Sequence, residues 1–256
     1  MKKSLILVLS ALCAWNASAT VLFSDDFNYL DGSLSGPSSV SGGTWFTHSA
    51  TASQTGQVDV ASSRVNLTAT EGEDVSATLF GAPYSSGTLY FSMLVNFSAL
   101  PAGAGGYFAN FGDVATGFRA RLFATTVGAA SGSYRLAINN GSTAISATFG
   151  TDLSLGSEYQ AVVRYDLTAV STTLWVNPLA ELDPSVAASD VVTGIAVSRI
   201  ALRQSTATGN GMGVLTVDNV RVATTFNEVI TAVPEPSSCA LAILGGMAML
   251  RLRRKR

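Results

Sequence analysis

Apolar and polar residues alternate along several short segments in the middle of the chain. The longest such segment spans 88–97, where Leu89, Phe91 and Met93 are followed by Val95 and Phe97. Segments of the same kind lie at 118–123, 134–138, 159–167, 172–176, 197–202 and 215–222. A period of two with many β-branched and aromatic residues is typical of half-buried strands. No convincing helical period occurs in this region, so the pattern predicts an all-β domain.

The connections between these segments are rich in turn-forming residues. Asn139-Asn140-Gly141-Ser142 predicts a hairpin turn. Within 118–123, the alternation predicts Arg119 and Arg121 on one face of the strand and Phe118 on the other. About a dozen strands in one domain need two packed sheets or a closed barrel. We favour an antiparallel two-sheet β-sandwich, because the strands are long and the loops between them are irregular.

The N-terminus has the three parts of a secretory signal peptide. Lys2 and Lys3 form a positively charged start, residues 5–14 are apolar, and Ala17 and Ala19 form an A-x-A cleavage site. This order predicts that signal peptidase removes residues 1–19. The rest of the chain is therefore expected to be exported.

The C-terminus combines a proline-containing element, a short apolar segment and a basic end. Residues 239–250 are uncharged and mostly apolar, whereas five of the last six residues are Arg or Lys. A stable membrane-spanning helix needs ~20 apolar residues, so this segment is short for a permanent anchor. The basic end would stay in the cytoplasm, which places the middle region on the far side of the membrane. The signal peptide requires the same topology.

This tail resembles the PEP-CTERM sorting signal of Gram-negative bacteria. The resemblance rests on Pro234, Glu235 and Pro236, followed in order by the apolar segment and the basic cluster. It implies transient insertion into the inner membrane, cleavage near the Pro-Glu-Pro element by an exosortase-type protease, and release or attachment at the cell surface. It also implies a bacterium that makes exopolysaccharide. The alternative is a permanent single-span anchor with a chance Pro-Glu-Pro linker.

The middle region resembles the concanavalin A/laminin-G-like jelly rolls of PEP-CTERM proteins. The resemblance rests on residues 25–34, on the Leu-Trp-Val-Asn-Pro run at 174–178, and on the Val-Asp-Asn-Val-Arg-Val run at 217–222. It implies a fold and leaves the function open, because this fold hosts lectins, glycosidases and adhesion modules. The predicted organisation is a signal helix over 1–19, a jelly-roll sandwich over 20–230, a linker over 231–236, and a membrane helix with a basic tail over 237–256.

Charge and cysteine content exclude several classes of partner and chemistry. Between residues 20 and 233 there are eight arginines, no lysine and sixteen acidic residues, which gives a formal net charge of −8. Such a domain repels nucleic acid and anionic lipid, so we expect no nucleic-acid partner. Cys13 and Cys239 lie in the two ends, which leaves the middle region without a thiol for a disulfide, zinc binding or catalysis.

Residues suited to hydrolysis are sparse in the middle region. Glycoside hydrolysis needs two carboxyl groups ~5–10 Å apart in a cleft. Jelly-roll glucanases that resemble this fold carry a Glu-x-Asp-x-Glu run, which this chain lacks. The nearest acidic cluster, 71–74, contains a glycine and is expected in a connection, and His48 is the only histidine and has no nucleophile elbow beside it. We therefore expect a non-enzymatic protein, with a glycoside hydrolase as a distant alternative.

Calcium is the one metal that this composition permits, because carboxylate and carbonyl oxygens bind it. Asp26 and Asp218 lie in the predicted first and last strands, which often pair in a sandwich whose termini meet. A structural Ca²⁺ between them is one expectation. The alternative is that these acids cap exposed backbone amides.

Sugar binding would use exposed aromatic rings beside polar groups. Trp45, Tyr107, Asn110 and Asp113 fall in or near predicted connections and form the candidate ligand-binding set. For Trp45 and Tyr107, packing in the core or at an edge is the alternative. Two functions stay open: an exported cell-surface or extracellular-matrix protein associated with exopolysaccharide, and a lectin-like carbohydrate-binding module.

Overall fold

The computed structural model describes residues 20–49, 56–205 and 211–230. The predicted signal peptide with Ala17 and Ala19 lies outside these ranges, and so does the predicted sorting tail with Pro234, Glu235 and Pro236. None of the helices in the described ranges is long and apolar enough to cross a membrane.

Over the described ranges the chain forms seventeen β-strands followed by one short helix. In chain order they are β1 (Val21–Asp25), β2 (Gly32–Ser33), β3 (Phe46–Ser49), β4 (Asp59–Ala61), β5 (Arg64–Thr68), β6 (Asp74–Thr78), β7 (Thr88–Ala99), β8 (Gly106–Gly112), β9 (Phe118–Thr125), β10 (Ser133–Asn139), β11 (Ala147–Thr148), β12 (Leu153–Ser154), β13 (Glu158–Asp166), β14 (Ser171–Val176), β15 (Val186–Ala187), β16 (Arg199–Arg203), β17 (Val214–Ala223) and α1 (Phe226–Val229). All seven segments with the period-two pattern coincide with strands.

The strands form two sheets whose pairings are antiparallel. The first sheet has the order β15-β14-β13-β7-β17-β5-β4-β2, and β1 pairs with β17 at its side. The second sheet has the order β11-β10-β9-β8-β16-β6-β3, and β12 pairs with β10. This confirms the predicted all-β, two-sheet antiparallel sandwich, with an arrangement consistent with a jelly roll. The expected pairing of the first and last strands is also present.

The core lies between the two sheets and is formed by every second residue of the long strands. Phe91 and Phe97 of β7 point into the sandwich and meet Phe111 and Phe108 of β8 edge to face, with ring centroids 5.0 and 5.8 Å apart. All four rings are fully buried. Truncating a buried Phe to Ala costs ~3–5 kcal/mol, so these contacts dominate the stability of the sandwich.

The predicted alternation is wrong at one point in β9. Ala120 has a φ of 52°, and the pairing of β8 with β9 shifts register around Ala109. This irregularity turns Phe118 toward the face expected to carry only polar side chains, so its ring lies 5.7 Å from the Arg121 Cζ. The second sheet therefore gains an aromatic side chain on its outer face.

The short helix α1 covers part of the outer face of the first sheet, and no helical period predicts it because four residues are too few to show one. Phe226 of α1 packs against Trp175 and Tyr90, with ring centroids 5.3 and 6.1 Å apart. The Ser92 hydroxyl donates a hydrogen bond to the backbone carbonyl of Val229. A second, smaller apolar cluster thus seals this face.

Candidate functional site

The second sheet presents a polar face on the side opposite the core. Its cross-strand pairing aligns Tyr107 with Phe123, Phe123 with Ala137 and Ala137 with Thr148. Side chains alternate along each strand, so these residues point away from the core positions between them. The outer-face side chains that matter below are His48, Ser76, Tyr107, Asn110, Phe118, Arg121, Phe123, Arg199 and Arg203.

Tyr107 lies between two arginines that come from the strands on either side of it. The Cζ of Arg203, on β16, is 4.2 Å from the centroid of the Tyr107 ring, and the Cζ of Arg121, on β9, is 4.7 Å from it. Cation–π contacts of this kind contribute about 0.5–1 kcal/mol each at exposed sites. Tyr107 is the second residue of β8, next to the connection that precedes the strand. Its ring holds the two guanidinium groups in place and is not a free platform for a sugar.

Arg199 lies deep in the same face, with 6% of its surface exposed. Its Nη2 donates a hydrogen bond of 2.7 Å to the Ala115 carbonyl. A Cβ on Gly112 would lie 2.8 Å from the Arg199 Nε, so the glycine leaves room for the side chain. Burial lowers the pKa of Arg199 and of Arg121, although an arginine stays charged at neutral pH.

These arginines lack close acidic partners. The Nε of Arg203 is 4.0 Å from the Oδ2 of Asp74, which accepts a 2.5 Å hydrogen bond from the Ser49 hydroxyl. Within the described ranges, neither Arg121 nor Arg199 lies within 4.0 Å of an acidic oxygen. The outer face of the second sheet is therefore locally positive in a region that is acidic as a whole.

His48 lies at one side of this face and is neutral at pH 7. Its Nδ1 is 2.8 Å from the Ser76 hydroxyl, and its ring is 5.9 Å from the ring of Phe118. Burial, with a smaller contribution from the charge of Arg199, lowers the pKa of His48 to about 4. Ser76 is fully buried, so a substrate has no access to its hydroxyl. The pair therefore has the contact of a base and a nucleophile without the accessibility that catalysis needs.

An open cleft of about 530 Å³ lies on the far side of Phe123 from Tyr107 and the arginines. Phe123, Thr125 and Thr148 form its strand side, and residues 104–105, 127 and 143–145 form its loop side. This volume lies in the range of about 300–1,000 Å³ that is usual for small-molecule sites. Phe123 contacts Tyr107 with ring centroids 5.6 Å apart, so the cleft and the arginine cluster form one continuous surface.

In the acidic cluster at 71–74, Glu73 is buried and accepts hydrogen bonds from three other segments of the chain. The Oε1 of Glu73 accepts hydrogen bonds from the hydroxyls of Ser35 and Thr47 at 2.6 and 2.5 Å, and its Oε2 accepts one from the Val58 backbone N–H at 2.7 Å. Glu73 is only 1% exposed. The expectation of a solvated connection is wrong here: Glu73 is buried and joins three segments, and Asp74 begins β6.

Trp45 is a core residue rather than a ligand-binding one. It is 1% exposed, and its Nε1 donates a hydrogen bond of 2.7 Å to the Oδ2 of Asp25. The same carboxylate accepts hydrogen bonds of 2.8 Å from the Phe27 backbone N–H and the Tyr29 hydroxyl. The packing alternative for Trp45 is thus the observed one, because a buried indole offers no face to a sugar.

The two remaining predicted ligand residues lie beside the arginine cluster. Asn110 is in β8, not in a connection, and its Nδ2 donates a hydrogen bond of 2.9 Å to the Phe111 carbonyl. It is 2% exposed. The Oδ1 of Asp113 accepts hydrogen bonds from the backbone N–H groups of Ala115 and Gly117 at 2.8 and 2.9 Å. Asn110 thus supports the floor of the face, and Asp113 shapes the loop at its end.

The predicted calcium ligands have partners within the chain. The Oδ1 of Asp26 is 3.8 Å from the Nη2 of Arg221, and the Oδ1 of Asp218 accepts a 2.7 Å hydrogen bond from the Asn219 backbone N–H. Burial raises the pKa of Asp218. In the part of the chain that the structure describes, no group of three or more Asp, Glu, His or Cys residues is placed to hold a metal. The Asp218 contact corresponds to the amide-capping alternative, whereas Asp26 faces an arginine side chain.

Sequence reasoning missed the arginine cluster because it depends on strand order. Arg121 was expected on a polar strand face, but Arg199 and Arg203 belong to a strand far away in the sequence. They meet only because β8 pairs with both β9 and β16. The available signal was the alternation of Arg199, Ala201 and Arg203 with two apolar residues in 199–203.

No family model matches the chain, and no curated protein matches it in sequence. Among solved structures, the chain is similar to one described with endo-acting O-glycanases that members of the human gut microbiota express to initiate mucin breakdown. The two are 11% identical, the match covers 80% of this chain and 99% of that chain, and the TM-score is 0.50. The carbohydrate recognition domain of Emp47p is 12% identical, with 80% and 96% of the two chains covered and a TM-score of 0.46. The lectin I-B4 of Griffonia simplicifolia is 13% identical, with 64% and 89% covered and a TM-score of 0.41. At such identities the likeness concerns the fold alone.

Proposed function

We propose that the protein is an exported, non-enzymatic polysaccharide-binding protein of the cell surface or extracellular matrix, which holds its ligand on the outer face of the second sheet. The observation that carries this proposal is the pairing of an open cleft with a cluster of arginines and aromatic rings. The fold does not decide the function, because sandwiches of this kind host binding and hydrolytic proteins alike.

The chemistry of the face suits a carbohydrate. A sugar presents hydroxyl groups at its edge and C–H groups on its ring faces, so it is bound by convergent polar groups beside aromatic or apolar surface. Here the hydroxyl groups of Thr143 and Thr148 line the cleft, Phe123 and Thr125 form its buried floor, and Arg121 and Arg203 lie beyond Phe123 against Tyr107. A polymer could lie across several strands and use both parts.

The proposed activity is binding without cleavage. Of the carboxylates near the second sheet, Glu73 is buried among hydrogen-bond donors, and Asp74 accepts hydrogen bonds from Ser49 and from the Gln204 backbone N–H at 2.5 and 3.2 Å. Hydrolysis of a glycosidic bond would need two such groups facing the substrate.

Export and sorting form the second part of the proposal. The signal peptide and the tail that resembles a PEP-CTERM signal would bring the domain through the inner membrane. Signal peptidase and an exosortase-type protease would then remove the two ends. The intact mass of the exported species tests this part: it should lack residues 1–19 and the basic cluster at 251–256. A species that retains the basic cluster would mean a permanent anchor.

A matrix protein without a ligand site is the second candidate, and one observation favours it. Ser76 and Ala201, in the floor of the face, are both fully buried beneath longer side chains. Part of the face is therefore filled by the protein itself. The cleft beside Phe123 is the feature that a purely structural role leaves unexplained.

Filling the cleft distinguishes the two candidates. Thr148→Trp places a large ring in the cleft, and Thr216→Trp is the matched change on β17 of the first sheet. We expect the exported protein to bind immobilised polysaccharides in a glycan screen, with Thr148→Trp reducing binding and Thr216→Trp leaving it unchanged. If no glycan is retained, or if both variants bind like the unmodified protein, the binding proposal is wrong. New reducing ends after incubation would mean cleavage rather than binding.

A further inference from the structure

Three arginines on the outer face of the second sheet point to the chemical class of the ligand. We infer that the polysaccharide held on this face is acidic, and that its carboxylate or sulfate groups bind to Arg121, Arg199 and Arg203. This inference rests on the proposed function of the same site and adds the charge of the ligand.

The first argument is that the other arginines of the domain already have partners. Arg64 lies 2.5 Å from Glu158, Arg135 lies 2.5 Å from Asp152, and Arg164 lies 3.3 Å from Glu181. Arg221 faces Asp26 at 3.8 Å. Each of these four arginines thus has an acidic oxygen within 4.0 Å, including Arg135 on the outer face of the second sheet itself, whereas Arg119 donates hydrogen bonds to the backbone carbonyls of Phe118 and Thr193.

Around Arg121, Arg199 and Arg203, by contrast, the compensating carboxylates lie at or beyond ion-pair distance: Asp190 acts on Arg121, Asp113 on Arg199 and Asp74 on Arg203. The distance of 4.0 Å between Arg203 and Asp74 is the limit of an ion pair, and Arg121 and Arg199 have no ion pair within the described ranges. Arg121 also feels the like charges of Arg203 and Arg119. Like charges held together repel, and a bound anion relieves that repulsion.

The second argument concerns hydrogen-bonding capacity. The Nε atoms of Arg121 and Arg199 are both buried without a hydrogen-bond partner among the described residues, as are those of Arg164 and Arg221, but Arg164 and Arg221 also have an acidic oxygen within 4.0 Å. A buried donor without an acceptor costs about 1–3 kcal/mol, and more when it is charged. Carboxylate and sulfate oxygens are suitable acceptors, and arginine binds such groups through two parallel N–H bonds.

The third argument is that the cluster is held in place before a ligand arrives. The Tyr107 ring lies against both Arg121 and Arg203, and the Nη1 of Arg121 donates a hydrogen bond of 2.7 Å to the Ser142 carbonyl. Side chains that are already ordered lose less conformational entropy on binding. Since these two arginines come from strands on either side of β8, their Cα positions are about 10 Å apart, which suits a polymer with repeated charges.

The acidic character of the rest of the domain favours a polysaccharide over nucleic acid. A net charge of −8 over residues 20–233 repels a dense polyanion such as DNA at long range. A few arginines on one sheet face can still bind a chain that carries one charge per sugar unit. The inference is therefore specific to sparsely charged acidic glycans.

Binding to a carboxylated polysaccharide and to its neutralised form tests the inference. The probes are polygalacturonate and the same polymer with its carboxyl groups methyl-esterified, and dextran sulfate beside dextran for the sulfated case. Affinity of the exported protein is measured by calorimetry at low and at high salt. We expect at least one charged polymer to bind roughly tenfold or more tightly than its neutral partner, and the difference to shrink as salt rises. The two pairs of probes show which acidic group is bound.

Two variants test whether the arginine cluster causes the preference for the charged polymer. Arg203→Gln and Arg121→Gln should each lower affinity for the charged polymer by about tenfold, which is the effect of one charged hydrogen bond. Arg64→Gln changes the net charge equally on the first sheet and should leave affinity unchanged. The comparison of charged and neutral polymers uses the unmodified protein, so it tests the inference even if an arginine variant folds poorly.

The outcomes separate the inference from the proposed function. Equal binding of charged and neutral polymers would overturn the acidic-ligand inference and leave polysaccharide binding intact. Equal losses in Arg64→Gln and Arg203→Gln would overturn it as well, since the attraction would then be diffuse. If none of the polymers binds and the wider glycan screen is also negative, the proposed function itself fails.

Discussion

The outer faces of the two sheets differ in what covers them. On the first sheet, α1 lays Phe226 and Val229 over Tyr90, Val162 and Trp175, and these side chains form a small core of their own. On the second sheet, within the described ranges, no helix covers Tyr107 and the arginines around it. Both sheets bury one face in the sandwich; the first also has a polar cleft of about 380 Å³ at Asp59 and Asn66, but the second alone, among the described residues, combines a cleft with the cluster of Arg121, Arg199 and Arg203. The comparison indicates that the first face stabilises the fold and that the second is available for a ligand.

The arginines of the two sheets also differ in their ion pairs. Along the first sheet Arg64, Arg164 and Arg221 each face a nearby carboxylate. On the second sheet Arg135 lies 2.5 Å from Asp152, whereas Arg121 and Arg199 have no ion pair within the described ranges. Exposed ion pairs contribute little to stability, with a median of about 0–1 kcal/mol. The ion pairs of the first sheet therefore matter mainly because they neutralise charge. Arg121 and Arg199 differ from these arginines and from Arg135 in lacking such a neutralising partner within 4.0 Å.

The largest expected loss of stability comes from disrupting the apolar cluster that α1 forms on the outer face of the first sheet. Phe226→Ala removes a ring that is 3% exposed and contacts Trp175 and Tyr90. We expect the free energy of unfolding in urea to fall by about 3–5 kcal/mol, the usual loss for a buried phenylalanine. Polysaccharide affinity of the folded variant should not change. A loss below about 1 kcal/mol would mean that α1 is only loosely docked.

The next effect separates binding from stability on the open face. Tyr107→Leu removes the ring between Arg121 and Arg203 while keeping an apolar side chain. We expect stability to fall by only about 1–2 kcal/mol, since the ring is half-buried and its cation–π contacts are individually weak. Affinity for an acidic polysaccharide should fall several-fold because the guanidinium groups lose their support. Calorimetry and urea unfolding of the same sample measure both quantities.

The opposite result would reverse the comparison of the two faces. If Tyr107→Leu destabilised the protein as strongly as Phe226→Ala and left affinity unchanged, the open face would be a second structural cluster. Phe23, which packs on Trp45 at a centroid distance of 5.4 Å, provides a control aromatic away from both outer faces. Phe23→Leu should change neither affinity nor the preference for acidic ligands.

The fold could be predicted from the sequence because one face of each long strand is buried. The period of two in β7, β13 and β17 follows directly from that burial. The tight hairpin turn predicted at 139–142 is not formed, since Asn139 belongs to β10 and the longer loop 140–146 connects β10 to β11. The irregularity at Ala120 was not predictable, since a bulge inserts a residue without changing local composition. It moved Phe118 onto the face that the alternation assigned to Arg121.

The candidate site was only partly predictable, for a physical reason. Tyr107, Asn110 and Asp113 belong to one strand and the loop after it, so a local reading of the sequence placed them near each other. Arg199 and Arg203 join them through β-sheet pairing between distant strands, which a local pattern does not contain. Trp45 follows the packing alternative, because its ring is buried and its Nε1 donates a hydrogen bond to Asp25.

A smaller effect is expected from pH, through His48 at the side of the open face. Burial lowers the pKa of His48 to about 4, below the value of about 6.5 in an unfolded chain. The folded protein therefore binds fewer protons than the unfolded chain between these values, and its stability declines as pH falls from about 6.5 to about 4. We expect the melting temperature to decrease over this window by a few degrees, and to be insensitive to His48 above pH 7.

The variant His48→Gln isolates this contribution, because glutamine keeps a polar group near Ser76 but does not titrate. Burial raises the pKa of Asp74, Asp59 and Asp218, which act in the opposite sense, but they are present in both proteins and cancel in the difference. The difference in melting temperature between the two proteins should therefore change only below about pH 6.5. A difference that is constant with pH would show that His48 titrates normally in the folded state.

The smallest effect is expected from removing divalent cations at the junction of β1 and β17. A calcium ion between Asp26 and Asp218 would stabilise the folded state by ~2.7 kcal/mol at a hundredfold excess over its Kd. That corresponds to a shift of roughly 2–4 °C in melting temperature per kcal/mol. Asp26 instead faces Arg221, and Asp218 accepts the Asn219 N–H, so both carboxylates already have partners. We therefore expect the melting curves with and without EDTA to coincide. A drop of several degrees that Asp218→Ala abolishes would place a cation there, and the first sheet would then not balance its charges by itself.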